Sequence, residues 1–152
     1  MEKILISACL VGDKTRYDGK SLLTPLLDKL LEKFELVPFC PEVEGGLSIP
    51  RLRAEIKDDV VITEKGNNVT KAYELGAEKA WNICFYLGIR YAILVDNSPS
   101  CGSTKIYDGS FKGKLIKGEG VTTRQLRAKG IKIIPHTEIQ EFLDHLDELE
   151  AK

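Results

Sequence analysis

Apolar positions along this chain switch between two periods. Short, almost uninterrupted apolar runs occur at Lys3-Ile4-Leu5-Ile6-Ser7, Leu36-Val37-Pro38-Phe39, Tyr91-Ala92-Ile93-Leu94-Val95 and Ile131-Lys132-Ile133-Ile134. They are too brief for helices and predict buried strands. Leu22, Leu23, Leu26, Leu27, Leu30, Leu31 and Phe34 instead recur at helical spacing and predict an amphipathic helix. Tyr73, Ala77, Ala80, Trp81, Cys84 and Leu87 form the apolar face of a second helix, with Thr70 as its cap and Gly88 as its stop. Residues 121–129 read as a short helix ended by Gly130, and residues 138–150 as a closing helix.

Strand and helix therefore alternate from one end to the other, which predicts an α/β fold. The expected architecture is a mostly parallel sheet with helices on both faces, a Rossmann-like or flavodoxin-like three-layer sandwich, in a single domain over residues 1–152. Two stretches, 41–59 and 96–120, carry no clear periodicity, and long irregular segments in small domains are usually functional. A small hairpin is expected where Val60-Val61-Ile62-Thr63 and Asn68-Val69-Thr70 flank Glu64-Lys65-Gly66-Asn67.

A chain of 152 residues suffices for one core without disulfide staples. The net charge of -1 supplies no global field for nucleic acid or an anionic membrane. The apolar run at residues 4–6 is far too short for a signal peptide or a membrane span, so a cytoplasmic location is expected. In that compartment the four cysteines are thiols or metal ligands rather than disulfides. The oligomeric state is left open.

Three of those cysteines share a setting. Cys9, Cys40 and Cys101 each follow a predicted strand and lie in turns rich in Gly, Pro or Ser. If the strands are parallel, their carboxyl ends meet at the edge where α/β sheets bind ligands. Three separated thiolates can then hold three irons of a cubane 4Fe-4S cluster and leave the fourth open to substrate. Cys84, inside a helix, reads as a small buried hydrophobe.

Other uses of the same residues stay open at this level. Three cysteines and a histidine can close a zinc site, but His136 and His145 are not spaced as a ligand pair and there is no Cys-x-x-Cys knuckle. A non-enzymatic metal or redox sensor would use the same thiols with a fourth ligand. Cys9 could also be a nucleophile with Arg16 holding an oxyanion, as in low-molecular-weight phosphatases. The spacing here is one residue too long, and Asp13 would oppose an anionic substrate.

Three separated motifs resemble one family. Ser7-Ala8-Cys9-Leu10 with Arg16-Tyr17-Asp18-Gly19, Cys40-Pro41-Glu42-Val43 with Gly45-Gly46-Leu47 and Pro50-Arg51, and Ser98-Pro99-Ser100-Cys101-Gly102 with Ile106-Tyr107-Asp108-Gly109-Ser110-Phe111 are similar to the thiouracil desulfurase family, in the same order. The resemblance runs from Lys3 to about Pro135. It implies an enzyme whose 4Fe-4S cluster is held by Cys9, Cys40 and Cys101 and whose substrate is a small thiolated compound, desulfurised without net redox change.

The resemblance further implies that Glu42 and Ser98 lie beside the substrate as proton-transfer or positioning groups. Ser100, Arg16 and Arg51 are expected to help bind it, and Arg51 also to balance the charge of the cluster. Arg16 and Asp18 are expected to pair and fix the first loop, and Asp108 to serve its turn. One departure from the family pattern follows Pro50-Arg51: Leu52-Arg53 precede Ala54-Glu55 where the family often has prolines. The substrate side of that loop is expected to differ.

Overall fold

The computed structural model describes residues 1–150. Its strands are β1 (Glu2–Ser7), β2 (Phe34–Phe39), β3 (Ala54–Lys57), β4 (Val60–Thr63), β5 (Tyr91–Leu94), β6 (Lys105–Tyr107), β7 (Leu115–Lys117) and β8 (Lys132–Pro135). The helices are α1 (Leu27–Lys33), α2 (Pro41–Glu44), α3 (Thr70–Leu87), α4 (Val121–Ala128) and α5 (Ile139–Glu150). Four strands form an all-parallel sheet in the order β2-β1-β5-β8. The order reverses between β1 and β5, which is where such sheets open a crevice at their carboxyl edge.

Alternation along each strand divides the core into two layers. Ile4, Ile6, Ile93 and Ile134 pack on one face with Leu30 of α1 and Ile139, Phe142 and Leu143 of α5. Leu5, Ala92, Leu94 and Ile133 pack on the other with Ala80 and Cys84 of α3 and Leu126 of α4. Each such aliphatic side chain, once fully buried, contributes roughly 1.5–3 kcal/mol. The three-layer α/β architecture expected from the sequence is therefore present, and Cys84 is the small buried hydrophobe it was read as.

Several boundaries differ from expectation. The leucine repeat starting at Leu22 becomes helical only at Leu27. Before that, the backbone N–H of Leu22 is given to the Cys9 carbonyl and that of Thr24 to the Leu10 carbonyl, both at 2.9 Å. The segment straps the turn that carries Cys9 instead of bonding to itself. Phe34 likewise opens β2 rather than closing α1.

The hairpin also uses another partner. β4 pairs with β3 across Asp58-Asp59, both of which have positive φ, the backbone of a tight primed turn. Residues 68–70 keep one bridge, Ile62 to Asn68. Thr70 does not cap α3: its oxygen accepts the Val61 N–H at 2.9 Å, while Asn68 Oδ1 accepts the Thr70 N–H at 3.0 Å. The stretches 41–59 and 96–120 each contain short regular elements, α2 and β3 in the first and the antiparallel pair β6-β7 in the second.

Candidate active site

One cavity of about 470 Å³ opens at the carboxyl edge of the sheet. Cys9, Cys40, Cys101, Glu42, Ser98, Ser100, Arg16 and Arg51, the expected ligands, proton-transfer groups and substrate-binding residues, contribute to its walls, whereas Asp18 and Asp108 do not. The edge forms because β1, β2 and β5 end side by side, and each passes into a differently built turn.

Cys9 lies in a 3-10 turn (Ala8–Val11) directly after β1 and is 5% exposed. Cys40 directly follows β2 and immediately precedes α2, which begins with Pro41. Proline suits the first helical position, where an N–H would have no partner. Cys101 lies in the loop after β5 and is 4% exposed. That loop is stitched to α4. The Val121 N–H donates to the Pro99 carbonyl and the Thr122 and Thr123 N–H groups to the Ser100 carbonyl, so the loop caps the first turn of the helix. The Thr123 hydroxyl returns a bond to the Cys101 carbonyl at 3.0 Å.

All three thiols are pushed away from ionisation. Burial raises Cys9 to about 11, the Cys40 charge adds to the push and Arg16 opposes it. Burial raises Cys40, against the backbone N–H of Val43. Cys101 is raised furthest, by burial and then by Cys40 and Glu42, with the Ser100 hydroxyl opposing. Each thiol thus feels its neighbours, and a bound metal rather than the protein alone would draw off their protons. An activated nucleophile has the reverse shift, so burial works against a phosphatase-like use of Cys9.

The donor set suits an iron–sulfur cluster, for it consists of three soft sulfurs on separate supports with cationic Arg16 and Arg51 on the same cavity wall. Among the described residues no three His, Cys, Asp or Glu side chains form a compact set around a single ion. Cys84 differs from the three cavity thiols in that its pKa is raised, to about 11, by burial alone.

Glu42 is held at both oxygens. Oε1 accepts the Tyr73 hydroxyl and Oε2 the Arg51 guanidinium, each at 2.5 Å. Arg51 also donates to the Thr15 carbonyl at 2.9 Å and the Ser48 carbonyl at 3.3 Å, while its buried Nε has no partner. A lone buried donor of this kind costs roughly 1–3 kcal/mol until something accepts from it. Helix α2 reaches this position because α3 offers Gly76, where a Cβ would stand 1.9 Å from the Pro41 carbonyl oxygen.

Ser98 accepts the Cys101 N–H at 2.7 Å, which leaves its own proton to give. Ser100 is buried, with Oγ 2.8 Å from that of Thr122. Among the described residues Arg16 has no ion pair; Asp18 instead accepts the Lys20 N–H at 3.0 Å. Asp108 keeps its turn by accepting the Ser110 N–H at 2.9 Å.

Four cavity residues escape the sequence reading. Tyr73 reads as one member of an apolar helical face. His136 reads as part of the last strand and helix, yet it stands at the same edge and its Nδ1 accepts the Asp96 N–H at 3.0 Å. Its neutral ring must therefore carry its proton on Nε2. Asp96 and Glu55 bind backbone N–H groups of the loops around the cavity, a role that has no sequence period. The signals that could have found them are the strand ends, for Asp96 and His136, and the Ala54-Glu55 pair of the family pattern, for Glu55; Tyr73 has none.

Comparison with known proteins agrees with this geometry. A family described as 2-thiouracil desulfurase matches residues 4–138. The uncharacterized protein YbbK of Bacillus subtilis (strain 168) is 39% identical over 150 residues, covering 92% of this chain and 99% of its own. The solved structure of the 4Fe-4S-dependent thiouracil desulfidase TudS is 44% identical, with a TM-score of 0.90, over 97% of this chain and 99% of its own. No helix among the described residues is long and apolar enough to cross a membrane.

Proposed function

The chain belongs to the 2-thiouracil desulfurase family, and on that premise we propose that it is a 4Fe-4S-dependent desulfidase acting on a small thiocarbonyl compound such as a thiouracil. The observation that carries this reading is the meeting of Cys9, Cys40 and Cys101 with Glu42 in one cavity. The reaction consumes water and the thiocarbonyl and yields the carbonyl compound and hydrogen sulfide, with no electrons gained or lost.

Cys9, Cys40 and Cys101 hold the cluster. Bound there, it supplies an iron without a protein ligand, a soft Lewis acid for the thiocarbonyl sulfur. Glu42 takes a proton from the water that adds at carbon and returns one to the departing sulfur. Tyr73 and Arg51 fix both its oxygens, so the accepting atom does not wander. Ser98 orients substrate or water with its remaining proton. Ser100 supports Cys101, Arg16 steadies the charge beside Cys9, and Arg51 lines the wall beside Glu42 where a substrate oxygen would be held. The partner is a small molecule, not a nucleic acid, and the cytoplasm is the compartment that keeps such thiols reduced.

Anaerobic reconstitution with iron and sulfide tests this. About four irons per chain are expected, lost in Cys9→Ala, Cys40→Ala and Cys101→Ala but kept in Cys84→Ala, with equal amounts of uracil and sulfide released from 2-thiouracil. Tight zinc in place of iron, or a loaded protein that releases no sulfide, would sink the proposal.

A further inference from the structure

Glu55 is a charged residue that the reaction does not use, yet it is only 2% exposed. It stands on β3, and its carboxylate is fully engaged. Oε1 accepts the backbone N–H of Gly109 at 3.0 Å and of Phe111 at 3.1 Å. Oε2 meets the Arg53 guanidinium at 3.3 Å. A buried carboxylate persists only when such partners replace water. Here the partners are the backbone of the β6-β7 connection, so the acid ties that connection down onto β3.

The tied segment is strained. Phe111 has φ of 59°, a left-handed backbone that a bulky residue adopts at a cost of about 1–3 kcal/mol. Gly109 has φ of 92°, and a Cβ there would come within 2.6 Å of Lys57 Cβ and 2.9 Å of the Ile56 carbonyl. The close approach and the two N–H bonds together determine where Phe111 stands. It lines the same cavity as the three thiols, as do Arg53 and Tyr107. The Arg53 guanidinium lies 6.0 Å from the centre of the Phe111 ring.

We propose that Phe111, positioned by Glu55 and backed by Arg53, is the specificity-determining wall of the cavity and selects planar heteroaromatic thiocarbonyls over acyclic ones. This rests on the desulfidase reading and narrows its substrate class. Flat rings stack on an aromatic side chain whatever their hydrogen-bonding edge, and the contact adds to binding without acting on the bond that breaks. It also gives a use to the departure at Leu52-Arg53, since Arg53 is the residue that reaches Phe111.

The test compares 2-thiouracil with thiourea, an acyclic thiocarbonyl, on the iron-loaded protein. Phe111→Leu is expected to lower the preference for 2-thiouracil, as a ratio of kcat/KM values, by about tenfold, through KM and not kcat. Phe111→Tyr is expected to keep the wild-type ratio, and Glu55→Gln to shift KM in the same direction as Phe111→Leu. An unchanged ratio in Phe111→Leu, or a loss carried by kcat, would overturn the proposal. A second measurement does not need turnover: 4-fluorophenylalanine at position 111 should show a fluorine signal that moves with uracil and not with urea. If the loaded wild type releases no sulfide, the desulfidase reading has failed, and the fluorine signal still decides the wall. A shift with uracil supports it, and a signal indifferent to uracil overturns it.

Discussion

The Tyr73 hydroxyl donates to Oε1 of Glu42 while Arg51 occupies Oε2, so the acid beside the three thiols has neither oxygen at liberty to turn. Tyr73 is 2% exposed, and burial, then the charge of Glu42, pushes its pKa upward. It therefore remains a donor throughout the neutral range. A hydrogen bond to a charged group is worth about 1.5–3 kcal/mol. Tyr73→Phe is expected to reduce kcat for sulfide release about tenfold to a hundredfold with the iron content kept. Anaerobic sulfide assay beside iron quantification measures both.

Arg51 sits on the other side of the same carboxylate, its side chain 6% exposed and that of Glu42 15%. Removing one member of so dry a pair strands the other. Arg51→Met is expected to cost about 3–5 kcal/mol, read as a lowered midpoint in urea. Arg51→Lys restores the charge but not the fork, so part of the loss in kcat/KM should remain after stability recovers.

Gly76 touches no candidate substrate atom, yet α2 depends on it. A methyl group at this position would overlap the Pro41 carbonyl and force α2 from α3. Gly76→Ala is expected to destabilise the fold by roughly 1–3 kcal/mol and to lower iron retention, because Cys40 and Glu42 travel with Pro41. Denaturant titration and iron content should fall together.

Asp96 supplies a pH dependence. Burial works to raise its pKa but is outweighed by the Thr104 hydroxyl and the backbone N–H groups of Ser103, Asn97 and Thr104, so the carboxyl lies below its ordinary range. A carboxyl depressed in the native state stabilises fully above its unfolded value near 3.9 and loses that contribution as pH falls through the native value. Asp96→Asn should therefore cost roughly 1 kcal/mol at pH 7, a figure kept low because the group is partly exposed. The gap between variant and wild type should narrow below about pH 4. Urea titrations at pH 7 and pH 3 make the comparison.

The layers, the parallel sheet and the meeting of Cys9, Cys40 and Cys101 were legible because period and strand order decide them. Where the reading went astray, bonds invisible to period had intervened. Leu22 and Thr24 carry a helical pattern but give their N–H groups to the Cys9 turn. The β3-β4 turn rests on Asp58-Asp59, a weaker turn signal than Asn-Gly. Glu42, Ser98 and Arg51 were found through three matching motifs. Tyr73 and Glu55 were not, since one looks like core and the other like surface until their partners, far away in sequence, are seen.

The three thiols lie in the turns that follow three neighbouring strands, in the lateral order Cys40, Cys9, Cys101. Whatever all three sulfurs grip also fastens β2 to β1 and β1 to β5 at the edge where β1 and β5 share only the Leu5–Ala92 and Ile6–Ile93 pairings. Binding to the native state alone adds to resistance against unfolding. A cluster held by these three thiols would thus be a rivet for the sheet as well as the seat of its chemistry, and oxygen damage to it would be felt as softening at the middle of the fold.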